Sequence, residues 1–273
     1  MTDQIILNVA IGAVVSVILA VVSVRSRSLS LSGGVGATFI GTAIFAYGGW
    51  AWYVVLLSFF VSSSYLTRFR YSTKMAKGVG VLKAESRSFW QTVGQGGVAT
   101  LIAGIALFST RNPTLIAVGF VGALAEANAD TWAVELGILS KGNPRMITKI
   151  SHAVQPGTSG GVSAIGEISA AAGALFVALV GAFLGVFGTA PLIPLLVAGF
   201  AAIVGEHVDS FLGATVQAAY YCPNCKKETE RRIHRCGTAT DHVKGFEVLT
   251  NEAINFISTC VAATVAVTVY FLL

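Results

Sequence analysis

Charge is what this chain has least of. Its 273 residues include 18 Lys and Arg and 13 Asp and Glu, together 11%, against 54% hydrophobic residues and a mean hydropathy of +0.74. A soluble domain is nearer ~25% charged, and so few charges could not keep this much apolar area in water. That excludes a cytosolic globular enzyme and a disordered chain. Four cysteines in a chain of this length exclude a small disulfide scaffold.

What is present instead is long apolar runs and 30 glycines, and small residues let helices approach closely in lipid. A spanning helix needs roughly 20 mostly apolar residues. Eight segments qualify or come close, at about 4–24, 31–47, 50–66, 90–108, 113–138, 161–188, 191–219 and 250–272. Only Gly48 and Gly49 separate the second and third, which we read as a hairpin. The N-terminus has no basic region ahead of its long apolar run and reads as an uncleaved helix.

The basic residues support this threading. Arg25 and Arg27 follow the first segment; Arg68, Arg70, Lys74, Lys77, Lys83 and Arg87 follow the third. Lys141, Arg145 and Lys149 follow the fifth, and Lys226, Lys227, Arg231, Arg232, Arg235 and Lys244 follow the seventh. Arg111 alone falls in an opposite-side loop, so 17 of the 18 share one side, cytoplasmic by the positive-inside rule. The expectation is an all-α polytopic bundle of about eight spans in the cell membrane, forming one domain over 1–273 with both termini outside. The formal charge of +5 then reads as an orientation signal and not as a nucleic-acid footprint. Glycine-rich helix faces leave room for a homo-oligomer.

Ser32-Gly33-Gly34-Val35, Gln95-Gly96-Gly97-Val98 and Ser159-Gly160-Gly161-Val162 recur at intervals of 63 and 64 residues. Gly119-Phe120 ahead of Glu126 and Asp130 is echoed by Gly199-Phe200 ahead of Glu206 and Asp209. The pattern predicts three pseudo-repeated helical hairpins, each opened by one motif.

Six of the thirteen acids fall within apolar segments: Glu126, Asp130, Glu135, Glu167, Glu206 and Asp209. A carboxylate in hydrocarbon costs at least a few kcal/mol, so such groups face a cavity, a partner or an ion. Glu126 and Asp130 share one helical face, Asn128 and Glu135 another. Few cations accompany them; His207 beside Glu206 is the intramembrane candidate, and a packing role suits it equally. Oxygen ligands without cations suit Mg²⁺ working with phosphates. Interhelical hydrogen bonding and a proton or cation path are the alternatives.

Between Lys141 and Gly161 the chain turns polar, ending in Gln155-Pro-Gly-Thr-Ser-Gly-Gly161 ahead of the sixth segment. Free backbone N–H groups at a helix start, with Lys141, Arg145 and Lys149 nearby, suit phosphate oxygens. The run is not a Walker A loop. A second polar stretch, 220–247, holds Cys222-Pro-Asn-Cys225 and His234-Arg-Cys236. A CxxC pair plus two further ligands predicts a small structural-zinc insertion, with His242 as a substitute ligand and an unmetallated thiol loop as the alternative.

These residues together resemble the integral membrane family called domain of unknown function 92, which includes the plant phytyl-phosphate kinase. The most specific stretches are Asn128-Ala-Asp-Thr-Trp-Ala-Val-Glu-Leu-Gly137, Pro156-Gly-Thr-Ser-Gly-Gly-Val-Ser163, Gly205-Glu-His-Val-Asp-Ser210, and the cysteine loop followed by Asn251 and Asn255. The resemblance implies a kinase that uses a nucleoside triphosphate, CTP in the plant branch, to convert an isoprenyl monophosphate to its diphosphate. It implies Asp130, Glu135 and Asp209 as catalytic, and these three with Glu206 as Mg²⁺ ligands. Lys141, Arg145, Thr158, Ser159, Gly160, Gly161, Asn251 and Asn255 would hold nucleotide and phosphates. The competing reading is a transporter or flippase of a phosphorylated lipid.

Overall fold

The apolar runs become helices whose ends are set by capping residues and glycines. A computed structural model describes residues 2–77, 86–106, 112–234 and 236–273. Helix α1 (Thr2–Arg25) is followed by Arg27 in a left-handed turn, and the Ser30 hydroxyl then accepts from Gly33 N to start α2 (Leu31–Arg68). After the short α3 (Tyr71–Ala76) come α4 (Phe89–Ala106), α5 (Pro113–Gly137), α6 (Ala164–Phe183), α7 (Leu192–Thr215) and α8 (Asn251–Leu272). Asn112 caps α5 and places Pro113 at its first turn, where a missing N–H costs nothing. Ser163 and Thr250 cap α6 and α8 in the same way.

Helix α2 is bent back on itself. As one straight rod its 38 residues would hold the ends ~57 Å apart. Yet the Arg68 guanidinium donates to Ser26 O and, at 2.8 Å, to Ser28 Oγ, next to the start of the same element. The reversal lies at Gly49, whose φ of 68° and ψ of −161° belong to a region open only to glycine. Gly41 then packs against Tyr53 and against Ser16 of α1, where the Ser16 and Tyr53 hydroxyls hydrogen-bond at 3.0 Å. The hairpin expected over 31–47 and 50–66 is therefore the geometry adopted.

Helix α5 is the axis of the bundle. Residues Ala117 through Ala129 are buried without interruption, and the helix packs on α2, α4, α6, α7 and α8. Residues 117–125 are all apolar or glycine, and a helix segment apolar on every side has no solvent face to offer and goes to the centre. Helix α1 is peripheral by contrast; it packs on α2 and leaves Ile6, Val14 and Ile18 exposed. Helices α1, α2, α6, α7 and α8 are each long and apolar enough to cross a membrane.

Contacts gather the polar connections at one end. Arg87 N donates to Ser28 O, Lys77 Nζ donates to Ile138 O at 2.9 Å, Gly137 packs against Gly166, and Gly160 against Ala214. Two small antiparallel sheets form there, which amends the all-α expectation. One contains β1 (Arg145–Met146), β2 (Lys149–Ala153) and β3 (Gly161–Val162), in the order β2-β1-β3. The other contains β4 (Ala219–Cys222), β5 (Lys227–Thr229) and β6 (Asp241–Lys244), in the order β5-β4-β6.

The three Gly-Gly-Val motifs occupy different local settings. The first opens α2, the second lies more than a turn inside α4, and the third precedes α6 as β3. Small residues are needed in all three for close approach: Arg87 O against Gly33, Ile40 against Gly96, and the Ala214 backbone against Gly160. Lys83, Arg111 and Arg235 lie outside the described residues.

At Gly49 the space is open, with no atom within 4 Å of an added Cβ, so only backbone strain opposes substitution. Gly49→Ala is expected to destabilise the protein by about 1–3 kcal/mol, read as a lower thermal midpoint in detergent.

Candidate active site

Carboxylates of the central helix α5 and of α7 face one another, with hydroxyl and amide groups of α8 beside them. Glu126 and Asp130 lie one turn apart on α5, and Glu126 is 1% exposed. Gly205 of α7 allows this approach, since a Cβ there would lie 2.7 Å from Glu126 Cγ and 2.9 Å from Ser258 O of α8. Asp209, one turn beyond Gly205, accepts from the Ser258 hydroxyl at 3.0 Å. With its amide turned to donate, Asn255 Nδ2 lies 3.1 Å from Asp209 Oδ2 and 3.1 Å from Asn251 O. Glu126 is within electrostatic range of Asp209, Asp130 and Glu206, and its Oε1 is buried with no hydrogen-bond partner among the described residues. Four carboxylates within electrostatic range, two of them buried, call for a cation or shared protons.

Glu206 faces both ways. Its Oε1 accepts from Ser210 at 3.3 Å, and Oε2 lies 3.0 Å from His207 Nδ1, a charge contact without hydrogen-bond alignment. His207 Nε2 lies 3.2 Å from Glu167 Oε2 of α6. One ligand atom each from Glu167, Glu206 and His207 fall within 4.8 Å of one another. His207 thus links two carboxylates, a role its sequence position beside Glu206 did not disclose.

The second face of α5 turns to α2. Asn128 accepts from Ser62 at 2.9 Å and donates to Gly173 O of α6 at 2.8 Å. Glu135 is fully partnered by protein: Thr67 donates to Oε1 at 3.0 Å, and Lys74 Nζ donates to Oε2 at 2.7 Å. Lys74, on α3, is 2% exposed and also donates to Leu66 O at 2.6 Å. Sequence reading counted Lys74 as an orientation signal only; the ion pair buries it.

Arg87 is the second cation missed in the sequence. Its guanidinium donates to Ser63 Oγ at 3.0 Å and lies over the rings of Phe59 at 5.6 Å and Phe60 at 5.9 Å. Burial pulls its pKa down to about 10, against the opposing pull of Glu135 and Asp130, so it stays charged at neutral pH. The acids therefore have a cationic border on the α2–α4 side.

The glycine-rich loop ahead of α6 meets the end of α7. Gly160 has a φ of 77° and rests on the Ala214 backbone, and Gly213 comes within contact of Gly160 N. Ser159 does not present a free hydroxyl, because it donates to Glu230 Oε1 at 2.8 Å and accepts from Gln217 Nε2 at 3.2 Å. Thr158 shapes the turn through its backbone, donating to Gln155 O and accepting from Gly161 N. Arg145 donates to Ile150 O within its own sheet, and Lys141 is exposed.

The cysteine loop brings together the four residues expected of it. One ligand atom each from Cys222, Cys225, His234 and Cys236 lie within 4.8 Å of one another. Cys222 and Cys236 sulfurs are 3.6 Å apart, His234 Nδ1 is 3.2 Å from Cys236 Sγ, and Cys225 N donates to Cys222 Sγ. Hydrogen bonding with Thr238 and His234 holds the Cys236 thiol down at about 5. His242 packs edge-on against the Tyr220 ring and stands outside this set.

Removing one partner of a buried pair strands the other charge. Lys74→Met is expected to destabilise by about 3–5 kcal/mol, with most of the loss recovered in Lys74→Met combined with Glu135→Gln. A double-mutant unfolding cycle in detergent measures it, and a neutral Lys74→Met would refute the buried pair.

Comparison with known proteins agrees with this architecture. Protein PGR of Arabidopsis thaliana is 30% identical over 267 residues, covering 90% of this chain and 91% of the relative. The uncharacterized membrane protein MJ0933 of Methanocaldococcus jannaschii is 28% identical over 269 residues, covering 98% and 97%. Protein VTE6, chloroplastic, of Arabidopsis thaliana is 24% identical over 242 residues, covering 88% of this chain but 64% of that protein. No solved structure matches the chain. The family model of integral membrane protein DUF92 matches residues 14–263, nearly the whole bundle described above, and the chain belongs to that family.

Proposed function

We propose that this protein is a membrane kinase that transfers the terminal phosphoryl group of a nucleoside triphosphate, with CTP the expected donor, to an isoprenyl monophosphate. The observation that carries this reading is that Asp130, Glu206 and Asp209 lie within electrostatic range of Glu126, one of whose carboxylate oxygens is buried with no hydrogen-bond partner among the described residues. Hard oxygen donors in that number fit Mg²⁺, which takes carboxylates together with substrate phosphates. When bound, Mg²⁺ would neutralise charge on the phosphate oxygens.

The remaining work is positioning. Ser258 and Asn255 hold the Asp209 carboxylate in place. Arg87, charged and bordered by Asp130, supplies a fixed cation for the acceptor phosphate. The acceptor oxygen is already anionic, so no general base is needed: it bonds to the γ-phosphorus, the β–γ bridging P–O bond breaks, and the nucleoside diphosphate leaves. Glu135 acts through Lys74 and Thr67 as a support for this end of α5. The backbone turn at Gly160 ahead of α6 serves the donor phosphates, the Gly161 N–H being already bonded to Thr158 O, with Lys141 and Arg145 at the rim. Both halves of α2 count as spans in this reading, giving eight crossings with the site at the cytoplasmic end and both termini outside. The family resemblance supports the substrate class and CTP as donor.

A second proposal concerns the cysteine loop. Three thiols and an imidazole converging within 4.8 Å fit tetrahedral zinc, which would fold the β4–β6 insertion beside Glu230 and Ser159. Metal analysis of the purified chain should find about one zinc per molecule, lost in Cys222→Ser.

The kinase test is release of CDP from CTP, Mg²⁺ and geranylgeranyl monophosphate by the purified protein. Asp209→Asn is expected to lower the rate by ~100-fold or more while keeping the thermal midpoint. If no nucleotide and no prenyl phosphate turns over, and prenyl phosphate instead crosses proteoliposome membranes without nucleotide, the transporter reading takes its place.

A further inference from the structure

A partly open cavity lies apart from the carboxylates, between α1, the two halves of α2 and the start of α4. Its volume is about 60 Å³. The walls are mostly apolar, formed by Leu19, Ala37, Ile40, Leu56, Leu57 and Phe60. Small residues open it: Gly41 and Gly96 lie on its wall, and a Cβ at Gly96 would press into Ile40. At the cytoplasmic end of these helices the cavity meets Arg87, whose guanidinium lies above Phe59 and Phe60. At the other end, the Ser16 and Tyr53 hydroxyls hydrogen-bond to each other at 3.0 Å.

We infer that this cavity holds the hydrocarbon tail of a single-chain lipid monophosphate, with Arg87 gripping its phosphate at the mouth. The inference rests on the kinase reading for the identity of the tail as isoprenoid, but the pocket is argued from its own chemistry. Apolar walls with one half-buried cation at the end select a ligand that is apolar along its length and anionic at its tip. Depth agrees as well: Ser16 and Ser23 on α1 both line the cavity, and seven residues of helix span ~10 Å, room for part of a tail whose remainder passes between helices into the bilayer. Asp130 and Glu135 lie within electrostatic range of the same guanidinium. A phosphate held there faces the carboxylates, so the tail site and the transfer site share one residue as their border.

The test uses the full chain in detergent without nucleotide. Direct binding is measured for geranylgeranyl monophosphate, geranylgeraniol, dimethylallyl monophosphate and inorganic phosphate. The long-chain monophosphate should bind most tightly, the alcohol about tenfold more weakly, and inorganic phosphate should compete only feebly. Arg87→Gln should abolish the advantage of the monophosphate over the alcohol. Ala37→Trp, which fills the cavity, should weaken the long-chain ligand about tenfold while leaving dimethylallyl monophosphate unaffected. A tail-end diazirine analogue should label α1 between Ser16 and Ser23 and α2 between Tyr53 and Phe60 in the unmodified protein, which decides the matter if Ala37→Trp does not fold.

Labelling elsewhere, or unchanged long-chain binding in a folded Ala37→Trp, overturns the site. The two proposals fail separately. Turnover with labels elsewhere removes the cavity assignment and leaves the kinase. Labelling of the cavity with no turnover from any nucleotide leaves the site and removes the kinase.

Discussion

The structure depends on how closely α7 and α8 approach the central helix at Glu126. A side chain at Gly205 would collide with Glu126, with Ala262 and with the backbone of Ser258 at once. Only glycine lets three helices meet there, and that meeting brings the buried Glu126 and Glu206 and the half-buried Asp130 and Asp209 within electrostatic range of one another. Concentrating negative charge at low dielectric is unfavourable unless something positive or protonated answers it. Tight packing at an acidic site therefore sets a demand that the rest of the bundle meets, and a helix face of alanines and glycines is what makes it achievable.

The answer comes from outside the spanning helices. Lys74 sits on the short α3 and Arg87 precedes α4, yet both enter the bundle, one pairing with Glu135 and the other bordering Asp130. They reach it because α2 reverses at Gly49 and returns its last turns to the side on which it began. That reversal places Ser62, Ser63 and Thr67 where they hydrogen-bond to Asn128, Arg87 and Glu135 respectively. The serine cluster that closes the apolar segment at 50–66 looks like interfacial polarity in sequence. In the fold it is the polar seam between α2 and α5.

Much of the architecture was legible because its signals are long. Apolar runs located every long helix to within a few residues, and Gly48-Gly49 located the reversal, since a change of chain direction inside an apolar stretch needs glycine. The cysteine constellation was legible because a CxxC pair limits its own geometry. Two-residue strands such as Arg145–Met146 carry no periodicity and were not foreseen. The cations escaped for a different reason. The positive-inside rule treats loop bases as one population, so it assigns Lys74 and Arg87 a side of the membrane but never a depth or a partner. The repeat shows a related limit: three Gly-Gly-Val motifs share the need for close backbone approach without sharing a position in their helices.

Charge separation across the α5 axis gives these parts a common logic. On the α7–α8 side the buried group is carboxylate, held by Ser258 and Asn255 and suited to a cation. On the α2–α4 side it is guanidinium and ammonium, and Arg87 retains its charge despite burial because Asp130 and Glu135 offset part of the desolvation. A lipid monophosphate between the two would meet a fixed positive group from one flank and, where the acids hold a cation as proposed, a second positive charge from the other. Fixed positive charge around a developing phosphoryl charge is the arrangement that phosphoryl transfer gains most from, because the reaction asks for position and neutralisation and little covalent help. The same geometry places less value on the loop hydroxyl of Ser159, which is already committed to Glu230 and Gln217 and so ties the cysteine insertion to the start of α6.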